Sequence, residues 1–64
     1  MFEIKFILPR NEAGETPRFL AEVPALPPVG AFIQNEQAGY AGYVADVTYW
    51  WNEYGDGEIQ VRLR

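Results

Sequence analysis

Cysteine, histidine and serine are all missing from this chain of 64 residues. Without cysteine there are no disulfides, and without cysteine or histidine the common zinc ligands are absent. The same absences remove the activated serine and cysteine nucleophiles and the side chain that titrates near neutral pH. Carboxylates, tyrosines, Thr16, Thr48 and Lys5 remain. A carboxylate pair can hydrolyse a glycoside, but it needs a substrate cleft that so short a chain rarely builds. The reading is that the chain is not an enzyme and holds no cofactor.

Basic residues are also scarce. Lys5, Arg10, Arg18, Arg62 and Arg64 stand against nine acidic residues, for a net charge of −4. Nucleic-acid binding draws most of its affinity from phosphate neutralisation, so this balance opposes it. No run approaches the roughly 20 apolar residues that cross a bilayer. The opening Met1–Leu8 alternates charge with apolar residues and runs into Pro9, which does not resemble a secretory signal. A cytoplasmic protein with no membrane attachment is expected.

What the chain does have is aromatic residues, 16% of the total. A single domain over residues 1–64 is expected. Chains this short bury only about 60% of their unfolded surface. Each buried ring covers about 150–250 Å², so the aromatics stand in for the missing staples, and self-association is the other route to stability.

The clearest pattern lies in the last third. Ile59, Val61 and Leu63 alternate with Glu58, Gln60, Arg62 and Arg64, giving a strand with one apolar and one wet face. Tyr43, Ala45, Val47, Tyr49 and Trp51 alternate in the same way with Asp46 and Thr48. Opposed residues share a face, so the parity predicts a hairpin pairing Tyr49 with Ile59, Val47 with Val61 and Ala45 with Leu63. Residues Asn52–Asp56 close it, with Gly55 and Gly57 available for positive φ. Val44 and Trp50 then fall on the polar face. A bulge near Thr48 is one way to swap that parity.

Upstream, Phe2–Leu8 reads as a strand ended by Pro9. A polar loop, Arg10–Pro17, follows and is expected to be the least packed region. Arg18–Val23 favours a second strand, with a single helical turn as the alternative. Pro24–Pro28 must be extended. Val29–Gln34 reads as a third strand, and Asn35–Gly39 as the turn before a fourth, Tyr40–Trp51. Gly42 is expected at a kink or bulge. The predicted fold is all-β: a five-stranded antiparallel meander closed into a small SH3-like barrel, with a flat sheet dimerising face to face as the alternative. Phe2, Ile4, Phe6, Phe32, Val47, Tyr49, Ile59, Val61 and Leu63 are the expected core.

Three segments carry a resemblance. Val23–Ile33 has a proline-rich lead into Val29-Gly-Ala-Phe-Ile33; Gly42-Tyr-Val-Ala-Asp-Val-Thr-Tyr-Trp50 and Ile59-Gln-Val-Arg-Leu63 follow. Together they resemble small uncharacterised bacterial and phage proteins with SH3-like barrels. The likeness covers about the last two-thirds of the chain and implies a fold, without a site residue to carry over.

The candidate site is the aromatic surplus of the hairpin. Trp50 either packs on the stems of Gln60 or Arg62, or anchors a partner. With Val44, Tyr54 and Asp46 it forms a candidate partner-binding patch, an apolar centre with an acidic rim that includes Glu53 and Asp56. The partner is another protein or a second copy of the chain. A third reading, a single-strand nucleic-acid binder, uses Arg62, Arg64 and the cluster Tyr40, Tyr43, Trp50, Trp51 and Tyr54 as a stacking platform. The carboxylates Glu53, Asp56 and Glu58 do not match an EF-hand spacing and read as a solvated loop. Pro24-Ala-Leu-Pro27 fits the P-x-x-P spacing but reads as a rigid connector.

Overall fold

A computed structural model describes residues 1–64 as five strands in one sheet. They are β1 (Phe2–Ile7), β2 (Arg18–Val23), β3 (Phe32–Asn35), β4 (Tyr40–Trp51) and β5 (Gly57–Leu63). The sheet order is β2-β1-β5-β4-β3. The all-β class and the five strands agree with the sequence reading. The third strand starts three residues later than expected, because Gly30, at φ 92°, sits in a turn ahead of it.

Two expectations about the architecture need correction. The sheet is mixed: β1 runs parallel to β5, with Ile4 beside Ile59 and Phe6 beside Val61, and the other neighbours are antiparallel. It is also open. β2 and β3 are its two edges and do not pair with each other, which makes a half-barrel in place of a closed barrel. Side chains bridge part of the gap. Phe19 of β2 stacks on Tyr40 of β4 with ring centroids 4.7 Å apart, and Phe6 lies 6.1 Å from the same ring. Such contacts hold the sheet curled without a hydrogen-bond ladder.

The β4–β5 register follows the predicted parity only as far as Val47. Tyr49 pairs with Ile59 and Val47 with Val61. Val44, and not Ala45, then meets Leu63, because a bulge lies between Val44 and Asp46. Two residues of β4 oppose one of β5 there, so side-chain parity reverses. The bulge is therefore three residues earlier than Thr48. Tyr40, Gly42 and Val44 now face inward beside Val47, while Tyr43 turns outward. Gly42 has no room for a side chain: a Cβ there would lie 2.9 Å from the Arg64 carbonyl oxygen.

The buried core is small: Ile4, Phe6, Tyr40, Val44, Val61 and Leu63. The connector before β3 straps its upper end. Leu26 and Ala31 pack on it, and Val44 exchanges backbone hydrogen bonds with Gly30 and Ala31 at 2.8 and 2.9 Å. Five expected core residues lie outside it: Val47 and Ile59 pack against it partly buried, while Phe2, Phe32 and Tyr49 are 42%, 55% and 52% exposed. Phe32 pairs with outward-facing Tyr43, and their rings meet edge to face at 5.2 Å. Phe2 and Tyr49 do face inward, but β3 covers only residues 40–43 of β4, so the lower half of the inner face has no lid.

The β1–β2 and β4–β5 hairpins close with the same five-residue turn, Asn11-Glu-Ala-Gly-Glu15 and Asn52-Glu-Tyr-Gly-Asp56. In each, the asparagine N–H donates to the carbonyl of the fifth residue, at 2.8 and 2.9 Å. Its side-chain oxygen accepts from the N–H of that residue, at 2.9 and 3.1 Å. The glycine takes positive φ, 82° and 85°. Asparagine side chains mimic a backbone turn, and glycine alone takes the left-handed position without strain. The Arg10–Pro17 loop is thus a built turn, and Leu8 and Pro17 extend its hairpin with a 2.9 Å bond.

Candidate functional site

The hairpin β4–β5 projects beyond the strapped core, and the molecule measures 38 × 25 × 21 Å. Its tip carries the exposed aromatics. Alternation sends Tyr49 and Trp51 to the inner face and Trp50 to the outer one. Trp50 and Tyr54 are 54% and 81% exposed. These two site residues therefore stand where the sequence placed them, free of the core. Val44 does not. It is fully buried against Leu63 and cannot contribute to a surface patch, because the bulge turns it inward. Asp46 is half-buried beside Arg62, to which it is ion-paired. That pairing neutralises one of the two arginines that a nucleic-acid surface would use.

The aromatic cluster of the sequence is split by the fold into separate places. Tyr40 is core, with its hydroxyl 3.4 Å from the Asn35 amide. Tyr43 lies with Phe32 on the outer face of the other end. Only Trp50, Trp51 and Tyr54 remain together at the tip.

Trp50 forms one wall of a shallow groove of about 350 Å³, which Tyr49, Trp51 and Ile59 at the β4–β5 tip also line. Leu20 of β2, 66% exposed, lines it as well. Between them lie Lys5 and Glu58, with Lys5 Nζ 2.6 Å from Glu58 Oε1. Gln60 Nε2 donates to Glu58 Oε2 at 2.9 Å. The Lys5 ammonium, then Gln60, holds the Glu58 carboxyl below its ordinary value. The register explains the grouping: Trp50 sits opposite Glu58, and Leu20 opposite Lys5.

Two carboxylates, Glu3 and Glu58, line this groove with Lys5, and Glu22 lies just beyond its rim. Glu3 lies directly opposite Glu22 across β1 and β2. One step along from the Ile4–Ile59 pair, Glu3 also neighbours Glu58. Like charges placed opposite each other oppose pairing, so this row is costly in the free protein. Glu3, Lys5, Leu20 and Glu58 were not singled out as site residues from sequence. The available signal was the wet parity of β1 and β5; which carboxylates become neighbours depends on the parallel pairing.

A second cleft, of about 450 Å³, opens between the two edge strands. Val23, Phe32, Ile33 and Tyr40 line it, and Phe6 forms part of its wall. No helix of the chain is long and apolar enough to cross a membrane. Comparisons with protein-family models, with curated proteins and with solved structures give no significant match.

Proposed function

We propose that this chain is a non-catalytic protein-interaction module whose contact surface is the groove at Trp50. The observation that carries the reading is the juxtaposition of an exposed tryptophan and an exposed leucine with an unbalanced carboxylate row. A partner segment bearing an apolar and a basic side chain matches it: the apolar group packs against Trp50 or Leu20, which flank the Lys5–Glu58 pair, and the cation relieves Glu3 and Glu22. Tryptophan is enriched among interface hot spots, and charge complementarity fixes orientation. Tyr54 and the carboxylates of the tip extend the rim. A cytoplasmic setting goes with this reading. So does kinship with SH3-like barrels, supported by five strands in one curled, open sheet.

The test is an array of short peptides probed with the wild-type protein, Trp50→Ala, Leu20→Lys and Phe32→Ala. Selected peptides should combine an apolar residue with lysine or arginine. Trp50→Ala should weaken them by about 30-fold, the effect of a hot-spot residue. Phe32→Ala, equally exposed but at the other end, should bind as wild type. Peptides that bind Trp50→Ala and Leu20→Lys unchanged would overturn the reading.

A further inference from the structure

The lower half of β4 is an unguarded sheet edge. β3 pairs with residues 40–43, and the strap reaches only Val44. From Asp46 to Trp51 the strand has a neighbour on one side alone, β5. The Asn52 N–H turns inward to Asp56 at 2.9 Å, so by alternation Val47, Tyr49 and Trp51 direct their N–H and C=O groups to the open side. Natural edges are blunted by charge, proline or a bulge. Here the bulge stops at Asp46, and Val47-Thr-Tyr-Trp-Trp51 contains no charge and no proline. On the inner face of this stretch Tyr49 and Trp51 are 52% and 72% exposed.

The amount of exposed surface is also unusual. The folded chain presents 4826 Å² to solvent. An average monomer of its mass presents about 4,200 Å², which leaves an excess of roughly 650 Å². Each partner in a small but stable interface contributes about 600 Å² or more.

We infer that the chain forms a two-fold homodimer by antiparallel pairing of the β4 edges about Tyr49. A second copy fits this edge in its own sequence. With Tyr49 facing Tyr49 of the second copy, Val47 meets Trp51 and Thr48 meets Trp50. The outward-directed residues 47, 49 and 51 pair among themselves, two backbone bonds to each pair. Asp46 meets Asn52, so no like charges are opposed. The register about Thr48 would pair only two of the three outward-directed residues, 47 with 49, and leave Trp51 unpaired. The pairing covers Tyr49 and Trp51 on the inner face and joins two open half-barrels into one ten-stranded sheet. The two-fold axis is perpendicular to the sheet, so both Trp50 grooves emerge on the same side. The dimer does not depend on what the grooves bind.

Sedimentation velocity across micromolar to millimolar concentrations tests this, with circular dichroism to show that each variant folds. Wild type should shift from monomer to dimer. Tyr49 is half exposed in the monomer, so Tyr49→Lys and Tyr49→Glu should each fold. Each should raise the dimer dissociation constant at least about tenfold, because the substituted residue faces its own copy. An equal mixture of the two variants should recover the dimer, since a lysine then faces a glutamate. Wild type that remains monomeric overturns the inference, as does a Tyr49→Lys variant that dimerises like wild type. Single variants that dissociate without recovery on mixing overturn the register. Tyr49 also lines the Trp50 groove, so peptide binding is read separately on wild type, at concentrations where it is monomeric.

Discussion

Val44→Ala is the sharpest perturbation for this fold, because strand parity alone puts Val44 on the wet face. In the structure its side chain is fully buried, opposite Leu63 and under the strap at Gly30 and Ala31. The substitution removes two carbons. At about 0.8 kcal/mol per buried methylene the transfer loss is roughly 1.6 kcal/mol. A residual cavity raises it to about 1.5–3 kcal/mol. A chain of this length has a total stability of about 3–10 kcal/mol, so the loss is a large share of it. Urea unfolding followed by circular dichroism should show a lower midpoint with an unchanged slope. Thermal unfolding should fall by roughly 10 °C. Val29→Ala, at a residue 64% exposed, is the matched control and should change stability by less than about 0.5 kcal/mol. If Val44→Ala behaves like that control, Val44 is on the surface and the bulge between Val44 and Asp46 does not exist.

Gly42→Ala should destabilise by about 1–3 kcal/mol in the same urea assay, because the added methyl meets the backbone oxygen of Arg64 and not a movable side chain; a neutral result would show that β4 and β5 are farther apart. Glu58 is held below its ordinary 4.5 by Lys5 and Gln60, so the unfolded chain binds its proton more tightly than the folded one. The stability it contributes is full above that ordinary value and is lost as pH falls through the lower folded value. Glu58→Gln should therefore lower the urea midpoint most at neutral pH and converge with wild type in acid, flattening the limb below pH 4.5; an unchanged acid limb would place the ion pair outside the folded ensemble. Asn52→Ala removes the acceptor for the Tyr54 and Asp56 N–H groups, at 2.9 and 3.1 Å. Hydrogen exchange at those amides should accelerate while the Glu15 amide, in the equivalent turn at Asn11, stays protected.

The sequence by itself determined what local chemistry can carry. Period two in Phe2–Ile7, Tyr40–Trp51 and Gly57–Leu63 marks strands, since alternation needs only the two faces of a pleat. Their inward residues Ile4, Phe6, Val61 and Leu63 follow from the same alternation. The hairpin register around Tyr49–Ile59 and Val47–Val61 also follows, as does the place of Trp50 on the polar face; that Trp50 stays exposed there does not.

The tertiary structure decided the rest. A bulge depends on how the neighbouring strand and the strap meet β4, so parity could not send Val44 inward or Tyr43 out. The parallel pairing of β1 with β5 joins residues more than fifty positions apart, which no local pattern encodes. That one pairing makes the sheet mixed, brings Glu3 beside Glu58, and assembles the groove from four strands. The same long-range arrangement leaves β3 too short to cover the lower inner face. Phe2 and Tyr49 are therefore apolar by pattern and yet exposed, and the edge of β4 stands open.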